Sequence, residues 1–177
     1  MRKVILSVVA LAIASVAMAQ DTGARKAVQV AQIPGSVATA NTGESIQNGS
    51  ANAVQVRQAG TEQSTLTNQD GVANLARVMQ TGDVNGNQAL SGQLNLAEVE
   101  QTGFNNESTI YQEGDFNNAM IDQNNDNDTA ANRAQIMQGT ANQAENNDAN
   151  ITQDGEDNSA YTLQTYDNSD AATNQNG

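Results

Sequence analysis

Residues 95–117 read NLAEVEQTGFNNESTIYQEGDFN, an eleven-residue unit written twice. Gln101 and Gln112 stand eleven apart, Gly103 and Gly114 follow them by two, and Asn106 and Asn117 follow the glycines by three. Counting in twos, Ala97, Val99 and Gln101 share one face of an extended chain, as do Ser108, Ile110 and Gln112. Leu96, Glu98 and Glu100 take the opposite face. Small and branched residues on one side, with variable and charged ones on the other, describe a half-buried strand of about six residues closed by a tight corner.

The same unit extends in both directions. Gln47, Gln58, Gln69 and Gln80 precede it at this interval, Gln123 follows, and Gln153, Gln164 and Gln175 form a last run. Gln138 lies fifteen residues from both Gln123 and Gln153, so extra residues near Asp126–Ala131 and Gln143–Asn146 fall at corners, where repeat folds tolerate insertions. Corner asparagines are Asn52, Asn74, Asn85, Asn95, Asn106, Asn117 and Asn158. With the glycines they are expected to supply positive backbone φ. Around Leu90 the unit is one residue short and lacks its glutamine; counted as an arm, it gives twelve arms in residues 41–177.

One arm cannot enclose a core, but two facing arms can. The expected fold is therefore all-β: a β-solenoid (β-helix) of about six stacked two-arm coils, spaced about 4.8 Å as strands in a sheet are. Stacking sets each ladder glutamine over its equivalent and each corner asparagine over another. Primary amides donate and accept at once, so both sets are expected to form hydrogen-bonded ladders that also serve self-assembly. Thr65 and Thr67 take inward positions while Leu66 points out, a weak spot in the apolar face. The last arm, Ser169–Gly177, keeps the register with Ala171, Thr173 and Gln175, and no amphipathic cap follows it. An open solenoid end is expected to template another copy.

The N-terminus follows a different logic. Arg2 and Lys3, the apolar run from Val4 to Ala14 and Ala17-Met18-Ala19 form a secretory signal pattern, so residues 1–19 read as a signal peptide. Residues 20–40, with the chain's one proline at Pro34, show no clear repeat and read as a flexible leader.

Composition narrows the chemistry. Cys, His and Trp are absent, which excludes a thiol nucleophile, an imidazole base and the usual zinc ligands. Glu98 and Glu100 pair carboxylates on one outward face but have no aromatic wall for a sugar, so no enzyme is read here. The formal net charge of −13 grows more negative once Arg2 and Lys3 are removed, which disfavours nucleic acid and anionic membrane as partners. Asp and Asn clusters at 124–128 and 156–158 supply hard oxygens, yet neither fits a calcium loop motif. No metal or other cofactor is expected. Asp70, Asp83, Asp115, Asp122 and Asp154 read instead as gatekeepers that restrain premature aggregation.

The recurring Asn-x-Ala-x-Ile/Val-x-Gln-x-Gly-x-x-Asn resembles the curlin repeat of bacterial curli subunits. Its clear instances are Asn95–Asn106, Asn106–Asn117, Asn147–Asn158 and, one residue shorter, Asn132–Asn142. The resemblance implies a homopolymeric extracellular amyloid fibre of the biofilm matrix. It also implies a nucleator subunit and an outer-membrane secretion channel as partners. The acidic, in-register last arm fits the bulk subunit better than a nucleating one. A soluble solenoid adhesin or ligand-binding protein is the other alternative, but the outward positions Arg57, Met79, Glu100, Tyr111, Asp122 and Met137 form no uniform binding face.

Overall fold

The computed structural model describes residues 25–27, 31–32, 41–60, 62–81, 94–139 and 144–177. The signal-like segment 1–19, Asp83, Asn85 and Leu90 lie outside the described residues. Among the described residues every regular element is a β-strand. One sheet holds β3 (Thr42–Ser50), β5 (Ser64–Val72), β7 (Leu96–Phe104), β9 (Asn118–Asn125), β11 (Asp148–Asp154) and β13 (Asp170–Asn176), with β1 (Arg25–Ala27) at its edge. The other holds β4 (Ala53–Gln58), β6 (Leu75–Thr81), β8 (Glu107–Glu113), β10 (Arg133–Gln138) and β12 (Ser159–Gln164), with β2 (Ala31–Gln32) at its edge.

From β3 onward the chain alternates between the two sheets, and every pairing is parallel with the repeat in register. That is a β-solenoid. The column has about five turns rather than the six read from the sequence, and the difference lies between Gln80 and Gln101. β6 and β7 are consecutive in the chain, yet β7 pairs with β5 and β8 with β6. An arm centred on Leu90 would have set Gln80 beside Gln101; instead Gln69 pairs with Gln101 and Gln80 with Gln112. The direct pairing of β5 with β7 leaves no rung between Gln69 and Gln101 for such an arm.

Within the segment read as a leader, β1 pairs antiparallel with β3, setting Arg25 opposite Gln47. β2 pairs parallel with β4 and sets Gln32 opposite Gln58, so a glutamine of the leader occupies a ladder register.

The core lies between the sheets and is a stack of identical layers. Ala97, Ala119 and Ala149 repeat in one sheet, Val78, Ile110 and Ile136 in the other, and all are buried. Ile110, Ile121, Ile136 and Ile151 are each wholly buried, worth about 2–3 kcal/mol apiece against exposure. Thr65 and Thr67 are buried as well, where other coils place Ala and Val, and Thr65 Oγ1 donates to Gln80 Oε1 at 2.9 Å.

The corners differ from the sequence reading. Glycine does take positive φ there, and at Gly71 (φ 123°) an added Cβ would meet the carbonyl oxygen of Gly103 at 2.0 Å. The second positive φ, however, belongs to the residue before the asparagine: Ala51, Ala73, Leu94, Asn105, Phe116, Asn146 and Asp157 all lie near +55°. A non-glycine residue there carries a cost of about 1–2 kcal/mol. The corner asparagine is kept for its side chain.

Candidate functional site

Two files of glutamine run the length of the column. In the sheet of β3, Gln47 Nε2 donates to Gln69 Oε1 at 2.8 Å, Gln69 to Gln101 at 2.7 Å and Gln101 to Gln123 at 2.9 Å. Gln123 then donates to Gln153 at 2.8 Å and Gln153 to Gln175 at 2.7 Å. In the sheet of β4, Gln58 donates to Gln80, Gln80 to Gln112, Gln112 to Gln138 and Gln138 to Gln164, at 2.8–3.0 Å. Every amide points the same way, so each file is a directional chain of hydrogen bonds, which polarise one another in a low-dielectric interior.

The second Nε2 hydrogen ties the two sheets together. It reaches a carbonyl in the opposite sheet, as from Gln58 to Thr42 (2.9 Å), Gln112 to Leu96 (2.9 Å) and Gln175 to Ser159 (3.0 Å). The glutamines from Gln58 to Gln153 are at most 1% exposed and Gln47 and Gln164 remain buried, while Gln175 is half-buried in the last strand. At the start of the second file, Gln58 Oε1 is buried with no hydrogen-bond partner.

The asparagines do something else. Asn74 Nδ2 donates to the Asp70 carbonyl within its own corner (3.3 Å) and to the Gly103 carbonyl of the next coil (3.0 Å). Its Oδ1 accepts from the Asn106 backbone N–H at 3.0 Å. Asn52 repeats this geometry, and Asn95 and Asn117 make the inter-coil bonds. Asparagine therefore stitches corner to corner through the backbone rather than through an amide-on-amide ladder. Asn147 adds one direct side-chain rung to Asn117 Oδ1 at 3.1 Å. Aspartate could not substitute, since it has no donor. Asn106 is buried but keeps only the contact to the Thr102 carbonyl, and its Oδ1 is unpartnered where the following corner is lengthened. Asn158, in the corner between β11 and β12, is half-buried and donates to the Asp154 carbonyl at 3.2 Å.

Sequence reasoning began repeat instances at Asn132 and Asn147 but left both out of the corner asparagines; both are buried at the same corner position. Asn132 Nδ2 bonds the Gly155 carbonyl at 2.9 Å, and Asn147 Oδ1 accepts from Ser169 N–H at 2.9 Å. A count forward from glycine misses them because their loops are longer. Counting back two from the inward Ala134 and Ala149 finds them.

Of the aspartates read as gatekeepers, the four that are described lie outward or at corners. Asp70 accepts from Asn48 Nδ2 at 3.0 Å and Asp154 from Asn124 Nδ2 at 3.1 Å, both exposed; the Asp115 carbonyl accepts from Asn146 N–H at 3.1 Å. Asp122 is half-buried between Glu100 and Thr152 in register. Burial raises its carboxyl pKa above the usual range, and the neighbouring charges of Glu100 and Asp154 raise it further. In the acidic loop after β9, Asn125 Oδ1 accepts from Asn127 N–H, and Asn127 Oδ1 from Thr129, so these oxygens serve the loop itself.

With this geometry in place the comparison with known families is decisive over its span. Residues 92–124, covering Gln101, Gln112 and Gln123 of the two files, match the family model of the curlin associated repeat. Over that span the chain is similar to the curlin associated repeat. No curated protein and no solved structure matches it. Each repeat of this chain is thus one strand with its corner, and its glutamine, glycine and asparagine have separate tasks. Glutamine links rung to rung, glycine lets backbones approach, and asparagine joins corners.

Proposed function

We propose that this chain is the structural subunit of an extracellular curli-type amyloid fibre of biofilm matrix and surface adhesion, and that the fibre grows by end-to-end stacking of solenoid columns. The observation that carries the reading is the directional glutamine file, in which each amide from Gln58 to Gln138 donates to the next coil and the last, Gln164, lies on the edge strand β12. A file of amides that all donate in one direction suits a repeat that continues from one molecule into the next. The edge strands β12 and β13 support it too, since each ends its sheet order and leaves a row of backbone groups unpaired among the described residues. The ladder and corner amides are read as the self-assembly residues, the five aspartates as gatekeepers, and the chain as structural rather than catalytic.

The curlin repeat supports a place outside the cell, and the signal-like pattern of residues 1–19 supplies a route out. A nucleator subunit and an outer-membrane channel are the partners that go with this reading, and the bulk rather than the nucleating role is favoured by the in-register acidic last arm. Incubating residues 20–177 at tens of micromolar tests it. Amyloid-dye growth and a meridional reflection near 4.8 Å are expected. A monomer that persists for days by size-exclusion chromatography overturns it.

A further inference from the structure

The two outer faces of the column differ in charge. All three arginines beyond the leader, Arg57, Arg77 and Arg133, project from the sheet of β4 to β12 and are exposed. A single carboxylate, Glu107, meets two of them, at 2.6 Å from Arg77 and 3.7 Å from Arg133. Arg57 has no acidic partner among the described residues. Beside the arginines runs an apolar row set by the register: Met79, Tyr111, Met137 and Leu163. Leu163 is 49% exposed and its neighbour Tyr161 57%. Gln55, Arg57, Arg77, Met79 and Tyr111 line a groove on this face.

The opposite outer face carries the reverse. Strands β3 to β13 of that sheet contain no lysine or arginine, and Glu98, Glu100, Asp122 and Asp154 project from its middle coils. We propose that stacked columns of this chain associate side by side, the arginine-bearing outer face of one docking on the carboxylate-bearing outer face of another. The occupant is a second copy of the same chain, and the inference rests on the reading of the column as a fibre subunit.

Charge selects this pairing over the others. Two columns of this net charge repel, and two like faces would set arginine against arginine or carboxylate against carboxylate. Arginine face on carboxylate face is the one arrangement that opposes unlike charges while covering the Met79–Leu163 row. One subunit's contact is small, but stacking repeats it along the axis, and linked weak contacts multiply. The contact is heterologous, so it does not close on itself. Each docked column still presents a free face of each kind, and the product is an open ribbon.

Four preparations of residues 20–177 test this: the native chain; R57E/R77E/R133E; E98K/E100K/D122K; and an equimolar mixture of fibres preformed from the two variants. Mass per length and width are read by electron microscopy, and growth by amyloid dye. Native fibres are expected as multi-column ribbons. Each variant is expected to grow but to fall to the mass per length of one column, and the mixture to regain ribbons. Bundling that persists in either variant, or a mixture that stays single, overturns the proposal. Where the triple arginine variant does not grow, Arg57→Glu alone decides: narrower ribbons support lateral docking and unchanged ones refute it. If the native chain gives no fibres, the fibre reading itself fails, and that is visible separately.

Discussion

Gln69 Nε2 donates to Gln101 Oε1 at 2.7 Å although thirty-two residues separate them, ten more than between Gln47 and Gln69. The bond length is the same as elsewhere in the file, so the column registers the chemistry of the rung and not the spacing along the chain. Each glutamine keeps its partner whatever the length of chain between them.

Residues 85–94 are therefore expected to be dispensable. Deleting them joins Val84 to Asn95 and keeps Gln80-x-Gly82-x-x-Asn, with Asn95 in the place of Asn85. The two strands then connect by a corner as short as that between Glu113 and Asn118. Loop length alters closure entropy only slowly, by about 0.6 kcal/mol per doubling. The shortened chain should form fibres with an unchanged denaturation midpoint. Loss of fibres would mean that this segment carries a rung.

A rung in mid-column should be costly to remove. Gln101 is wholly buried, donates to Gln123 Oε1 and the Leu75 carbonyl, and accepts from Gln69. Gln101→Ala leaves several buried polar groups unmet at about 1–3 kcal/mol each. A clear drop in the denaturant midpoint of fibres is expected, with slower growth. Asp126→Ala, at an exposed loop position, should shift neither by more than about 0.5 kcal/mol.

Most of the fold was legible because a period of two within a period of eleven fixes both the inward face and the strand length. Ala97, Val99 and Gln101 had to point the same way, and they do. The number of coils was not legible, since a short unit at Leu90 counts as an arm unless the pairing around it is known. Two features of the corner were also hidden. Positive φ at Ala73 or Phe116 leaves no mark in residue type, because the surrounding ladder imposes it. The asparagine amides were visible as a column, but whether they bond one another or the backbone depends on a carbonyl position that only the folded corner supplies.

That imposed backbone offers a route to a more stable column. Phe116 sits at φ 57°, is 48% exposed, and occupies a position that Asn105, Asn146 and Asn168 fill elsewhere. Asparagine tolerates this conformation better than phenylalanine. Phe116→Asn is expected to raise fibre stability by up to about 1 kcal/mol. Gly71→Ala goes the other way, since its Cβ would fall 2.0 Å from the Gly103 oxygen, and it should abolish the column. Circular dichroism and fibre yield distinguish the two.

The pH response should run through Asp122. Burial, then the charges of Glu100 and Asp154, hold its carboxyl above the ordinary value of 3.8, so the folded column binds this proton more tightly than the unfolded chain does. Linkage then fixes the sign. The stabilisation is fully present below the unfolded value and is lost as pH rises through the higher folded one. Fibres should accordingly grow faster and resist denaturant better as pH falls into the carboxylate range. Asp122→Asn removes the titrating group while keeping a similar shape, so it should raise stability at neutral pH and flatten that dependence. A variant as pH-sensitive as the native chain would place the response in the other carboxylates, and Asp122 would lose its part in restraining assembly.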